Sequence, residues 1–182
     1  MITIFKGGAK STIPSGKIDF KELIRLLTKD EEIKGIIENV RNLKASGKED
    51  EAKAEKNKLP YVTLSGEFSY RNNESLIKDS YTWLAAVDID EDENPNLDFT
   101  ECLEKVKAHP STLLALKSPR GKGIKAIIRL KPNAYKTENH YHAMKDVVYE
   151  HLNKIWGCKL DNAQGKLSQP FYVTHDPNLS SS

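Results

Sequence analysis

The sequence predicts an α+β fold with flanking helices rather than a doubly wound parallel sheet. Three observations predict it. Apolar residues recur at helical spacing in residues 20–40, 99–106 and 137–156, an almost continuous apolar run covers 81–90, and two strand-like runs flank a glycine-rich turn within 112–130. With 182 residues, the chain is long enough to bury one core without disulfides or structural metals.

The first part of the chain predicts a strand, a loop and two capped helices. Residues 1–5 have strand composition and residues 6–17 have loop composition. Asp19 and Asp30 each precede apolar residues at helical spacing, so each is expected to cap a helix. The two apolar stripes consist of Phe20, Leu23, Ile24, Leu27, Ile33, Ile36, Ile37 and Val40.

Residues 44–58 keep helix-forming residues but lose the apolar stripe, which predicts a solvated helical arm or hinge. We therefore divide the chain into an N-terminal accessory region, 1–58, packed on a core, 59–182. The core opens with a strand at 61–68, where Ser65-Gly66 indicates a bulge or a close approach of two backbones.

The rest of the core alternates strands and helices. Residues 81–90 are predicted to form a strand buried on both faces, and Asp98 to cap a short helix. Residues 112–117 and 124–130 are predicted to pair as a hairpin. A long helix over 137–156 and a strand near residues 171 to 174 complete it. The residues predicted to be buried in the hydrophobic interior of this region are Met144, Val147, Val148, His151, Leu152, Ile155, Trp83 and Trp156.

Composition excludes several classes of protein. A net charge of +2 favours neither a strongly basic DNA coat nor an acidic disordered tail. Cys102 and Cys158 are far apart and form no CxxC pair, which argues against a disulfide framework or a cysteine zinc site. The apolar runs are too short to cross a bilayer, and residues 1–10 lack a secretory leader pattern, so we expect a cytoplasmic protein with no membrane contact.

Asp88 and Asp90 end the apolar run. Alternate residues of a strand project to the same face, so both carboxylates are expected to lie where a divalent metal can bind. Acidic residues after a buried strand are also common in ordinary loops, so the pair alone does not establish a metal site. An EF-hand is excluded, because Glu93 and Phe99 occupy the positions that need Gly and a bidentate Glu.

The turn at 118–123 is the second candidate site. Its glycines let backbone N–H groups approach a phosphate, and its cations supply charge, although an ordinary turn with solvated lysines is the alternative. The spacing of a Walker A loop is absent. Lys125 and Arg129 alternate with apolar residues and so face either solvent or a ligand. The candidate phosphate-binding residues are Ser118, Arg120, Gly121, Lys122, Gly123, Lys125 and Arg129.

Charge is segregated between these two sites. Residues 88–98 contain six acidic and no basic residues, whereas residues 117–131 contain six basic and no acidic residues. Carboxylates for a metal beside cations for phosphates are what chemistry on polyphosphates or nucleic acids requires. Asp161 and Asp176 are candidates for a third metal ligand, although turn and cap roles are the more frequent fate of such residues.

Four motifs occur in a recognisable order: LP-x4-SG-x-F from Leu59, DID from Asp88, SPRGKGIK from Ser118, and a closing D…S…DP set. The last set consists of Asp161, Ser168, Asp176 and Pro177. Together they resemble the VirE amino-terminal-domain family of bacterial mobile elements, which is grouped with the archaeo-eukaryotic primase, or primase-polymerase, superfamily. The resemblance covers about residues 58–178.

This resemblance implies a sandwich with an RRM-like antiparallel or mixed sheet. It implies that Asp88, Asp90 and Asp161 are catalytic and hold Mg²⁺ or Mn²⁺, with Asp176 as the second match for the third ligand. Lys125 stands where the superfamily has a His. Lysine can bind phosphate as a point charge, but it cannot copy the geometry of an imidazole or titrate near neutral pH.

The resulting expectation is a metal-dependent nucleotidyltransferase that uses DNA and nucleoside triphosphates in mobile-element replication, beside a fused or associated helicase or replication domain. Two alternatives stay open. One is a catalytically inactive primase-like module that binds single-stranded nucleic acid. The other is a metal-dependent nuclease, because carboxylates beside lysines serve that chemistry as well.

Overall fold

A computed structural model describes residues 1–8, 10–161 and 166–179. The described chain has the α+β fold that the sequence predicts, with two antiparallel sheets and flanking helices. The strands are β1 (Ile2–Phe5), β2 (Gly16–Ile18), β3 (Tyr61–Thr63), β4 (Leu84–Asp90), β5 (Thr112–Lys117), β6 (Gly123–Arg129) and β7 (Pro170–Tyr172). The helices are α1 (Phe20–Lys29), α2 (Glu31–Ala45), α3 (Glu49–Lys56), α4 (Phe99–Ala108) and α5 (Glu138–Trp156).

The first sheet has the strand order β2-β1-β3-β7, so the N-terminal strand is internal. Thr3 pairs with Lys17 on one side and with Thr63 on the other. The region predicted to be accessory therefore shares a sheet with the core. Strand β2 lies in a stretch predicted to be mainly loop, because its pairing with β1, rather than its composition, makes it a strand.

The second sheet has the order β4-β6-β5, and β5 and β6 form the predicted hairpin. Strand β6 is central and pairs with β4 in the register that places Lys125 opposite Asp88. The predicted strand at 81–90 begins later, at Leu84. Trp83 has a φ of 58°, in the left-handed region that interrupts an extended strand.

Predicted helix starts are confirmed by side-chain caps. Asp19 accepts a hydrogen bond from the backbone N–H of Glu22 at 2.7 Å, and Asp30 accepts one from that of Ile33 at 3.0 Å. Helices α1 and α2 bury their apolar stripes with strands of both sheets in one apolar cluster. Helices α4 and α5 bury theirs in a second cluster. No helix in the described ranges is long and apolar enough to span a membrane.

The buried face of α5 differs from the predicted one. Val147 and Ile155 are 70% and 48% exposed, and His151 is also exposed, so their assignment to the core was wrong. Aromatic side chains bury more surface than Val or Ile and take the inner face instead. Tyr149 adds a hydrogen bond from its hydroxyl to the carbonyl of Ala86 at 2.9 Å. The buried residues of α5 are Tyr141, Lys145, Tyr149, Leu152 and Trp156.

The close backbone approach predicted at Ser65-Gly66 is confirmed. A Cβ atom on Gly66 would lie 2.7 Å from the Leu76 Cδ1 and 2.9 Å from the carbonyl oxygen of Ser80. The strand predicted at 61–68 ends at Thr63. Residues 64 to 80 turn back on themselves instead, and a larger residue at position 66 would push them apart.

Candidate functional site

Asp88 and Lys125 form a buried ion pair across β4 and β6. The Lys125 ammonium donates a hydrogen bond to Oδ2 of Asp88, and the two residues are 6% and 7% exposed. Strand pairing brings them together, because directly opposed residues of an antiparallel pair project to the same face. Lys125 therefore faces a carboxylate of its own chain, whereas the strand alternation predicted that it faces solvent or a ligand.

Asp90 lies on the same face of β4, two residues further on, and is partly buried. Burial raises the pKa of Asp90, and the negative charge of Asp88 raises it further. Lys125 opposes this shift, whereas the charge of Asp161 adds to it. The end of β4 thus holds carboxylates whose mutual repulsion a cation would relieve.

Asp161 lies beside the free edge of β4. Its backbone N–H donates to the carbonyl of Asp88 at 2.9 Å, so the segment after α5 runs along that strand. Asp176 lies elsewhere: its N–H donates to the carbonyl of Leu27 at 2.8 Å, and its side chain lines a separate cleft. Of the two candidates for a third ligand, Asp161 is the one beside Asp88.

Asn94 fixes the segment that carries Asp161, and the sequence did not single it out for this role. It is 8% exposed, and its Nδ2 donates to the carbonyls of Asp90 and Lys159, both at 2.9 Å. Its Oδ1 accepts the N–H of Lys159 at 2.7 Å. Asn94 therefore joins the turn after β4 to the chain just before Asp161.

Two glycines let the hairpin turn approach the end of β4. Gly121 has a φ of 77°, and its N–H donates to the carbonyl of Ser118 at 2.8 Å. Gly123 lies so close to β4 that a Cβ atom would stand 2.7 Å from the carbonyl oxygen of Ile89. The absence of side chains at these positions brings the basic turn against the acidic strand end.

A pocket of about 50 Å³ lies between the turn and the strand end. It accommodates an ion with one or two waters rather than a nucleotide, since a water occupies about 30 Å³ in the liquid. Lys122 lies outside it and forms an ion pair with Glu91 at 3.1 Å, beside a shallower depression. The pocket is lined by Lys56, Asp88, Asp90, Ser118, Pro119, Arg120 and Lys125.

Lys56 reaches this pocket from α3, in the region predicted to be a solvated arm. Its Nζ lies 4.9 Å from the centre of the Tyr172 ring. Burial lowers the pKa of Lys56, and the positive charges of Lys125 and Arg120 lower it further. Nothing in the sequence distinguishes Lys56 from neighbouring lysines, because its position depends on how α3 packs.

The structure brings most, but not all, of the predicted phosphate-binding residues together. Arg129 is paired with Leu84, at the opposite end of the two strands from Asp88 and Asp90. Arg129 is four positions further along the strand than Lys125, a distance of about 13 Å. Arg129 is thus outside the site, whereas the others lie in or beside the pocket. Those residues are Ser118, Arg120, Gly121, Lys122, Gly123 and Lys125.

The donor atoms of the pocket fit a hard divalent cation. In the ranges that the structure describes, no group of three or more His, Cys, Asp or Glu residues is arranged to hold a metal ion. Asp88 and Asp90 nevertheless offer two carboxylates. Mg²⁺ is commonly held by one or two carboxylates, with water and substrate phosphates completing its shell. Asp88 and Asp90 are therefore the residues that would hold the expected Mg²⁺ or Mn²⁺.

Comparison with known protein families matches most of the chain to one family model. A family model described as "BT4734-like, N-terminal domain" matches residues 54–180. No curated protein and no solved structure matches the chain. The matched range includes Lys56 and all the carboxylates and cations of the pocket, and it begins within α3.

Proposed function

The chain belongs to the BT4734-like N-terminal domain family, and we propose that it is a metal-dependent nucleotidyltransferase of the primase-polymerase kind. The family description names no activity, so the proposal rests on the site. The observation that carries it is the shared pocket, in which Asp88 and Asp90 face three cations, Lys56, Arg120 and Lys125. Phosphoryl transfer needs both kinds of group within a few ångströms of each other.

Each part of the pocket has a role in this proposal. Asp88 and Asp90, with Asp161 beside them, hold Mg²⁺ or Mn²⁺. The metal, when bound, supplies stabilisation of the charge that develops on the reacting oxygens. Arg120 and Lys122 bind the triphosphate on the open side of the turn, because the pocket is too small for the whole nucleotide.

The backbone of the turn and the buried lysines complete the phosphate-binding side. The N–H groups near Gly121 and Gly123 approach phosphate oxygens without steric hindrance. Lys56 and Lys125 balance the negative charge of the carboxylates and the nucleotide together. Resemblance to the VirE amino-terminal domains supports placing this chemistry in the cytoplasm, in the replication of mobile DNA, beside a fused or associated helicase or replication domain.

One observation favours a second candidate. Lys125 already neutralises Asp88, so this carboxylate is compensated without a metal ion. A module of this kind could bind single-stranded nucleic acid through Lys56, Arg120 and Lys122 without catalysis. Such binding would weaken steeply with salt and would not need a divalent cation.

Primer extension tests the proposal. The wild type is incubated with a labelled primer-template, dNTPs or NTPs, and Mg²⁺ or Mn²⁺, beside Asp88→Ala/Asp90→Ala. Glu104→Gln, an exposed acid on α4, is the matched control. We expect metal-dependent extension by the wild type and the control, and none by the double variant.

Each other outcome counts against the proposal. Shortening of the labelled strand indicates a nuclease. Salt-sensitive, metal-independent binding without any product indicates the non-catalytic module. Extension that survives Asp88→Ala/Asp90→Ala places the chemistry outside this pocket.

A further inference from the structure

A second cleft of about 390 Å³ lies along the outer edge of β5. Helix α2, helix α4 and the segment from His175 to Leu179 form its walls. It shares no lining residue with the pocket at Asp88. Its volume is within the range of functional binding clefts. We call it the β5-edge cleft.

The cleft exposes the backbone of an edge strand. Within the described chain, β5 pairs with β6 and with no other strand. The N–H of Ser118 donates to the carbonyl of Gly123 at 2.8 Å, which fixes the alternation of hydrogen bonds along the hairpin. By that alternation, the N–H and C=O groups of Ala115 and Lys117 point outward, into the cleft. Such an edge is able to pair with an added strand.

The charges around the β5-edge cleft are mainly positive. Arg41, Lys107 and Lys117 line it, and Asp176 is the one carboxylate among the described lining residues. Lys107 is also paired with Glu104 of its own helix at 2.9 Å, a pair that a bound carboxylate would share. The Nε of Arg41 and the Nδ1 of His175 are buried and have no hydrogen-bond partner among the described atoms. The lining cations favour a ligand that brings carboxylate or other anionic oxygens.

The side chains that line the cleft favour an acidic peptide over a nucleic acid. Its apolar side chains are aliphatic, and no Phe, Tyr or Trp is among the described residues that line it. Proteins that bind single-stranded nucleic acid commonly stack the bases on such rings, and among the described lining residues only the His175 ring and the Arg41 guanidinium offer a plane for stacking. Aliphatic pockets beside a strand edge instead suit alternate side chains of an extended peptide. The aliphatic lining residues are Leu103, Leu113, Leu114, Ala115 and Leu179.

We propose that the β5-edge cleft binds an extended acidic segment of a partner protein, which pairs with β5 as an added strand. The peptide backbone bonds to Ala115 and Lys117, and its carboxylates pair with Arg41 and Lys107. Arg41 also lies against the hairpin turn, since its Nε is 3.7 Å from the position of a Cβ on Gly121. The bound segment therefore contacts a side chain that lies against the turn beside the pocket at Asp88.

Peptide titration tests this site without metal or nucleotide, so its result is independent of nucleotidyl transfer. The probe is a fluorescein-labelled peptide in which Val and Thr alternate with Asp and Glu. A second peptide carries Lys in place of each acid. We expect the acidic peptide to bind and to shift the backbone amide NMR signals of Ala115 and Lys117, and the basic peptide not to bind.

Charge reversal gives the matched comparison. Lys107→Glu/Lys117→Glu is expected to weaken binding of the acidic peptide by about tenfold or more. Lys105→Glu, on the same helix but outside the cleft and paired with Glu101, is expected to leave binding unchanged. Circular dichroism establishes that both variants are folded.

Three results would overturn the proposal. The first is no binding of the acidic peptide, or binding that leaves the signals of β5 in place. The second is an equal loss of affinity in Lys105→Glu and in the double variant, which indicates non-specific charge attraction. The third is displacement of the peptide by single-stranded DNA together with a loss of DNA binding in Lys107→Glu/Lys117→Glu, which assigns the cleft to nucleic acid.

Discussion

Lys125 and Asp88 neutralise each other in the interior of the second sheet, at the end of β4 where the proposed chemistry takes place. A buried ion pair of this kind costs free energy to desolvate, and it is tolerable because both charges are present. The same carboxylate is proposed to bind a divalent cation. The Lys125 ammonium and a bound metal ion would each compensate the buried charge of Asp88. Measurements of stability with and without metal therefore test the site.

Lys125→Met is expected to lower the free energy of unfolding by about 3–5 kcal/mol, because it removes the ammonium partner of Asp88. Mn²⁺ is expected to restore part of this loss, and to stabilise the variant more than the wild type. Urea denaturation with and without Mn²⁺ measures both effects. Lys122→Met, at an exposed lysine, is the control and should change stability by less than about 0.5 kcal/mol. Equal stability of Lys125→Met and the wild type would contradict the role of the pair.

Asp90→Asn is expected to stabilise the metal-free protein at neutral pH, because burial and the charge of Asp88 disfavour its carboxylate. A carboxyl group whose pKa is raised in the folded state destabilises the fold at every pH above that pKa. The gain from Asn should therefore be full at pH 7 and disappear as the pH falls through the raised pKa of Asp90 toward 3.8. We expect a rise in Tm, measured by thermal denaturation over that pH range. A Tm of Asp90→Asn below that of the wild type at pH 7 would contradict the conclusion that the Asp90 carboxylate destabilises the fold.

Local signals predicted much of this fold. Asp19 and Asp30 cap helices through contacts within one turn, so neighbouring residues suffice to locate them. The turn at 118–123 carries its own glycines, and the two flanking strands follow from composition. Asp88 and Asp90 share a face because strand geometry requires it. These features depend on residues that are close in sequence.

The rest depends on distant contacts that no local pattern contains. Lys56 enters the pocket because of how α3 packs on the rest of the fold, and Asn94 bonds to Lys159, 65 residues away. The inner face of α5 was misassigned because Val147 and Ile155 counted as apolar, although the larger aromatic residues compete better for the core. Tertiary packing decided these cases.

Asn94→Ala is expected to lower the free energy of unfolding by about 2–3 kcal/mol, because three hydrogen bonds of a buried amide are lost, each worth about 1 kcal/mol. The loss should be largest around Asp161. Hydrogen exchange of the Asp161 amide, which bonds to Asp88, is expected to accelerate more than that of α1. Asn96→Ala, an exposed residue of the same loop, is the control and should leave both unchanged. Unaltered protection of Asp161 in Asn94→Ala would exclude this positioning role.

Gly123→Ala is expected to destabilise the protein by about 1–3 kcal/mol, because its Cβ would stand 2.7 Å from the carbonyl oxygen of Ile89. The displaced strand would also carry Lys125 away from Asp88. Gly35→Ala is the matched control: nothing lies within 4 Å of a Cβ there, and Gly35 is in α2, so this change should stabilise by about 0.5–1 kcal/mol. Chemical denaturation of both variants measures the change in the free energy of unfolding, which should have opposite signs. A change of the same sign in both would contradict the close approach of Gly123 to β4.

Cys102 and Cys158 are expected to form a disulfide when the folded protein is treated with diamide, which accepts the two hydrogens. The neighbouring Cys158 thiol lowers the pKa of Cys102, which favours the thiolate that attacks. Cys158 is two residues before Leu160, so the bond would tie α4 to the segment that leads to Asp161. Closing this long loop should stabilise the fold by about 2–4 kcal/mol. Thiol alkylation and denaturation measure both effects. Cys158→Ser is the control, and two alkylated cysteines in the oxidised wild type would show that the thiols are too poorly aligned to bond.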